Sequence, residues 1–168
     1  MKRKALHFVA IFALCSLIAV LADEDGSALV KTKAPAWKLL DLEGNTVSSE
    51  DFKGKVVILD FWATWCGHCG AEIPGLDELQ SEYQKRGLAV IGISLDEEGA
   101  DAVKDFVAKT GMNYRVLMGD EKVQQDFGGM DAIPVTFVID RQGNIVKRHL
   151  GLTEKSEFEA EIKPLLAN

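Results

Sequence analysis

Two cysteines with two residues between them, in Trp65-Cys66-Gly67-His68-Cys69, are the residues of this chain best spaced to do chemistry. The pair reads as a redox dithiol. It follows directly on the apolar run from Val56 to Trp62 and precedes a stretch where Ala71, Ile73, Leu76, Leu79 and Tyr83 recur at helical spacing. The run is short and β-branched, as a buried strand is, so both cysteines fall at the first turn of a helix. There, residues three apart share a face, and the free N–H groups and helix dipole favour a thiolate on Cys66. Cys66 is therefore expected to be the more exposed nucleophile, and Cys69, one turn further in, the resolving thiol. The plainer readings are a structural disulfide or a metal pair. Zinc normally takes four ligands, whereas with His68 this segment offers three.

The neighbours of the pair have chemistry of their own. Asp60 ends the strand beneath the cysteines, where a buried carboxyl with a raised pKa relays a proton to or from Cys69; the alternative is a strand-end polar residue bonded to backbone. His68 between the cysteines is placed to stabilise the Cys66 thiolate, which would make the disulfide more oxidising; otherwise it is a tolerated loop residue. Trp62 and Trp65 flank the site and offer an apolar surface, though core packing explains Trp62 as well.

The elements that must hold these residues alternate along the chain. Residues 37–42 and the turn at 43–46 form a hairpin, and 56–62 a strand that leads into the dithiol helix. Residues 88–95 form a strand, 101–109 a helix stopped by Gly111, 114–118 a strand and 121–127 a short helix. Gly128-Gly129 reads as a loop at the rim. A strand over 134–139, a turn at 140–144, a return strand over 145–151 and a helix over 156–166 complete an α/β sheet covered on both faces.

The N-terminal end has another character. Lys2-Arg3-Lys4, an apolar stretch from Phe8 to Ala22 and then Asp23-Glu24-Asp25 have the layout of a signal peptide over residues 1–22, cleaved after Ala22 or retained as a membrane anchor. Residues 23–33 then read as a linker, and 34–168 as one domain. Cleavage removes Cys15, so Cys66 and Cys69 are the only cysteines left, as suits redox chemistry better than stapling. The whole chain carries a net charge of −7, and loss of Lys2, Arg3 and Lys4 takes it to −10. So acidic a surface argues against nucleic acid and anionic membrane as partners.

Together, Ala34-Pro35, Leu40-Asp41-Leu42-Glu43-Gly44, Phe52 to Val57, Phe61-Trp62-Ala63-Thr64-Trp65-Cys66, Glu72-Ile73-Pro74, Ile133-Pro134 and Thr136 to Asp140 resemble the thioredoxin superfamily. The nearer resemblance is to its extracytoplasmic TlpA/ResA-like thiol:disulfide oxidoreductases, within the wider AhpC/TSA and redoxin kinship. This implies a thioredoxin-like α/β fold: a central mixed sheet flanked by helices, with an N-terminal β-hairpin and a central αβ insertion. It also implies that Pro134 is a cis-proline facing the dithiol, that the Ile133 carbonyl bonds substrate backbone, and that Glu72 belongs to the active site, where the alternative is a solvated helix carboxylate. Trp65, Gly67, Ile133 and Pro134 are thus the expected substrate contacts; no cofactor and no metal are expected.

The function implied is reduction of protein disulfides in the cell envelope, at the periplasm or the outer face of the cytoplasmic membrane. The enzyme would be a monomer, fed by a membrane electron donor, and would serve cytochrome c maturation or general thiol redox and antioxidant work. Gly67-His68 resembles protein disulfide isomerase and pulls toward oxidase or isomerase activity. Two alternatives stand beside these: a peroxiredoxin-like peroxidase, weakened because Thr64 is two residues before Cys66 and not three, and a copper chaperone using Cys66, His68 and Cys69.

Overall fold

A computed structural model describes residues 32–167; the expected leader, and the linker as far as residue 31, lie outside it. The elements are β1 (Thr32–Lys33), β2 (Lys38–Asp41), β3 (Thr46–Ser48), β4 (Val56–Trp62), α1 (Gly67–Tyr83), β5 (Leu88–Ser94), α2 (Ala100–Thr110), β6 (Arg115–Met118), α3 (Glu121–Asp126), β7 (Val135–Ile139), β8 (Asn144–Leu150) and α4 (Lys155–Leu166). All eight strands join one sheet in the order β1-β8-β7-β4-β5-β6-β2-β3. It is mixed: β4, β5 and β6 run parallel, while β7 lies antiparallel to β4 on its other side.

The central strands are buried along their whole length, which explains why β4 and β5 read as unbroken apolar runs without alternation. On one face, Ile58, Trp62 and Val138 pack with Ile73, Leu76 and Leu79 of α1 and with Phe158 and Ile162 of α4. On the other, Leu59, Phe61, Ile91, Ile93 and Phe137 pack with Val123 and Phe127. Each such side chain contributes about 1.5–3 kcal/mol on burial, so the dithiol helix is clamped to the sheet by its own hydrophobic stripe. Helix α2 ends as expected, with Gly111 in the left-handed region at φ 75° and its N–H on the Val107 carbonyl.

Two arrangements go beyond the linear pattern. Thr32 and Lys33, assigned from the sequence to the linker, pair antiparallel with Ile145 and Asn144 of β8, so the fold begins before Ala34. The β2–β3 hairpin is docked through Leu40 and Asp41 onto β6, extending the sheet beyond the αβ insertion. Cross-strand register also sets a polar line through the centre: Gly92 of β5, Asp60 of β4, Thr136 of β7 and His149 of β8 stand side by side.

Candidate active site

The chain leaves β4 at Trp62 and turns into α1 with Cys66 as the residue that caps it. Cys66 and Cys69 form a disulfide with their Cα atoms 5.3 Å apart. The backbone N–H of Cys69 donates to Cys66 Sγ at 3.2 Å, the hydrogen bond of a helix N-cap made by sulfur. Such a donor stabilises negative charge on that sulfur, so the same contact favours the Cys66 thiolate once the pair is reduced. Cys66 is part-exposed whereas Cys69 is 1% exposed. The pair thus has one accessible and one buried sulfur.

The turn before Cys66 is pinned from β5. Asp96 accepts hydrogen bonds from the Thr64 N–H at 3.0 Å, the Thr64 hydroxyl at 2.5 Å and the Ser94 hydroxyl at 2.8 Å. Trp65, which follows Thr64, is 70% exposed beside the disulfide, whereas Trp62 is fully buried against Phe106 and belongs to the core. Across from the cysteines the Ile133–Pro134 peptide bond is cis, and the Ile133 carbonyl oxygen lies 3.7 Å from Cys66 Sγ. The Pro134 carbonyl is taken up by Gly151 N–H at 2.8 Å, which leaves the Ile133 side of this loop turned to the sulfur. Gly67 and His68 are exposed at the helix start, and the His68 side chain has no hydrogen bond or ion pair among the described residues.

Two carboxyls are buried nearby in the chain's order, Asp60 on β4 and Glu72 on α1 three residues past Cys69. Asp60, 1% exposed, accepts from the Thr136 hydroxyl at 3.1 Å. Burial above all, then the negative charge of Glu72, holds its pKa well above the usual carboxylate range against the opposing Thr136 bond. Glu72, 3% exposed, accepts from the Thr153 N–H at 2.9 Å, and its Oε2 has no hydrogen-bond partner. Burial pushes its pKa up to about 7. A solvated helix carboxylate is excluded. Trp62 Nε1 and the Tyr114 hydroxyl are also buried and unpartnered. Both rings fold over Gly92, where a Cβ would meet Trp62 Nε1 at 2.7 Å and Tyr114 Cε2 at 3.2 Å, so glycine is what leaves them room.

Residues read from the sequence thus converge from β4, α1 and the loop before β7. Sequence reasoning missed Thr136, Thr153, Asp96 and Tyr114. For Thr136 there was a signal: it is the one polar residue in the buried run Val135 to Ile139. The other three are polar residues near element ends, with nothing local to distinguish them.

The model of the AhpC/TSA family matches residues 30–148. The chain belongs to that family. Within it the chain is similar to the thiol-disulfide oxidoreductase ResA of Bacillus anthracis, at 35% identity over 146 residues, covering 86% of this chain and 82% of the relative. The thioredoxin-like protein YneN of Bacillus subtilis is 33% identical over 132 residues, covering 77% and 76%. Among solved structures, a thiol:disulfide interchange protein of the thioredoxin family from Chlorobium tepidum has a TM-score of 0.74 at 33% identity, covering 81% of this chain and 97% of that one. A secreted thiol-disulfide isomerase from Corynebacterium glutamicum has a TM-score of 0.74 at 28% identity, covering 80% and 86%. The thioredoxin-superfamily, ResA-like character and the thioredoxin-like α/β fold expected from the sequence both stand.

Proposed function

We propose that this thiol:disulfide oxidoreductase reduces protein disulfides outside the cytoplasm, with Cys66 as nucleophile and Cys69 as resolving thiol. The observation that carries the reading is the asymmetric disulfide, an accessible capping sulfur bonded to a fully buried one, in a fold that also buries the carboxyls of Asp60 and Glu72. In the reduced enzyme the Cys66 thiolate attacks a substrate disulfide, one substrate sulfur leaves, and a mixed disulfide forms. Cys69 then loses its proton to the buried carboxyls and attacks Cys66 Sγ. The second substrate sulfur leaves with the bonding pair, and two electrons have passed to the substrate. The Cys66–Cys69 disulfide that results is reduced again by a dithiol donor on the membrane.

The surface suits a polypeptide substrate. Trp65, Leu150 and Leu152 are exposed, Leu150 pairs with Val135 directly after the cis-proline, and the Ile133 carbonyl faces Cys66 Sγ, where an extended substrate strand would bond it. His68, exposed in the first turn of α1, would stabilise the Cys66 thiolate on reduction. Among the described residues no helix is long and apolar enough to cross a membrane. Envelope thiol maintenance or cytochrome c maturation is the role that fits, and the peroxidase and copper readings are not favoured.

Insulin reduction driven by dithiothreitol tests the assignment. Cys66→Ser abolishes it, and Cys69→Ser accumulates substrate-linked enzyme that a reductant releases. Full turnover by Cys66→Ser would sink the assignment. Equilibration with glutathione tests the direction: a potential near the roughly −270 mV of thioredoxin supports reduction, and one near the roughly −180 mV of protein disulfide isomerase reverses it.

A further inference from the structure

We propose that the Thr136 hydroxyl is a proton relay between Asp60 and Glu72, which makes Thr136 a positioning residue for the resolving step. This rests on the dithiol reading above and adds a residue to it. Thr136 is fully buried and sits opposite Asp60 in the β4–β7 register, two residues after the cis-proline. Its hydroxyl donates to Asp60 Oδ1 at 3.1 Å, which leaves the oxygen's lone pairs free. Glu72 presents the complementary group: Oε1 is held by the Thr153 N–H, while the buried Oε2 has no partner. When Glu72 carries its proton, that oxygen is a donor in need of an acceptor, and the Thr136 hydroxyl is near enough to act on its ionisation.

A hydroxyl between two carboxyls can take a proton from one as it gives its own to the other, and its own proton count does not change. During resolution the Cys69 proton goes to the Glu72 carboxylate. The Cys69–Cys66 bond forms, and the substrate sulfur leaves as thiolate. The proton on Glu72 passes to Thr136 Oγ1 as the Thr136 hydroxyl proton passes to Asp60 Oδ1, to which it is already hydrogen-bonded, and Glu72 is a base again. The other groups facing this spot are Tyr114, whose hydroxyl is buried, and His149, beside Thr136 on β8. The His149 ring is engaged from α4 by Glu161 at 2.9 Å and Glu157 at 3.6 Å and packs on Phe158, so it is turned to the helix. The two carboxyls titrate as a pair, and the relay predicts that their shared inflection depends on one hydroxyl.

The test uses the aromatic disulfide dithiobis(nitrobenzoate). Reduced enzyme releases a first nitrothiobenzoate when Cys66 attacks and a second when Cys69 resolves, and the second rate is followed against pH in a stopped-flow instrument. Thr136→Val keeps the shape of the side chain and removes the hydroxyl. Its inflection should move up by about one pH unit, so that resolution below the inflection is roughly tenfold slower. Thr136→Ser should restore the wild-type profile. If Thr136→Val loses the fold by near-ultraviolet circular dichroism, Thr136→Ala is read in the same way. Superimposed second-phase profiles for wild type and the variant without the hydroxyl overturn the relay and leave the dithiol reading standing. A wild type that releases no second equivalent overturns the dithiol reading itself.

Discussion

Single side chains decide what this site can do, and Glu72 shows it best. Its folded pKa of about 7, against an ordinary 4.5, means that the folded chain holds a proton which the unfolded chain releases between those values. Stability therefore falls as pH rises from about 4.5 to about 7 and is flat in this respect above that, a loss of at most about 3 kcal/mol from this group. Glu72→Gln removes that slope. In urea unfolding, the stability of wild type minus that of the variant should shrink across this window and then stay constant; a constant difference throughout would place Glu72 outside the titrating pair. His68 makes a different prediction. Among the described residues its side chain has no partner while the disulfide is closed, so its effect falls on the reduced form. Its removal in His68→Pro should take stabilisation from the thiolate and make the potential more reducing by about 30 mV, roughly 1.4 kcal/mol. An unchanged glutathione equilibrium with the fold intact would leave His68 a tolerated loop residue. The two cysteines, Asp60 and Glu72 were legible from spacing and resemblance. Thr153 and Asp96 were not, because their importance lies in which loop they hold, 81 and 32 residues away in sequence.

At the scale of elements, the site depends on how closely β5 lets its neighbours approach. Gly92 stands next to Asp60 in the register, and Trp62 and Tyr114 close over it. Gly92→Ala would force a methyl group to within 2.7 Å of the buried indole nitrogen. A loss of about 1–3 kcal/mol is expected from the strain, together with slower dithiol exchange, because Trp62 ends the strand that leads to the cysteines. Chemical denaturation and insulin reduction measured on one sample check both parts, and wild-type stability would show that the rings yield freely. The sequence announced β4, β5 and the helix after the cysteines because each buries a pattern that is visible locally. It concealed β1, two residues whose only claim to be a strand is the edge of β8 that they meet. It also concealed the polar line from Gly92 through Asp60 and Thr136 to His149, since cross-strand neighbours are set by register and not by spacing along the chain.

Over the whole molecule, the fold class followed from alternating elements, and the order of the sheet explains why one end of it gathers all the chemistry. The dithiol turn leaves the end of β4, Asp96 follows β5, and the cis-proline loop enters β7, so three loops from adjacent central strands meet on one rim. The opposite margin of the sheet has a consequence of another kind. Among the described residues, strand β1 covers β8 only at Asn144 and Ile145, and the rest of that seven-residue strand is left as an edge. An uncovered strand is a template on which a second chain can stack, and fibrous aggregates grow from such borders. Here the border carries exposed Lys147 and Arg148, side by side, with the Arg148 guanidinium over the Phe137 ring at 5.8 Å. A second copy laid alongside in antiparallel fashion would bring like charges together. Replacing both by valine should leave reduced enzyme active when dilute but make it scatter light on concentration or mild heating. The same treatment should leave wild type clear; if the double variant also stays clear, these two cations are not what keeps the chains apart.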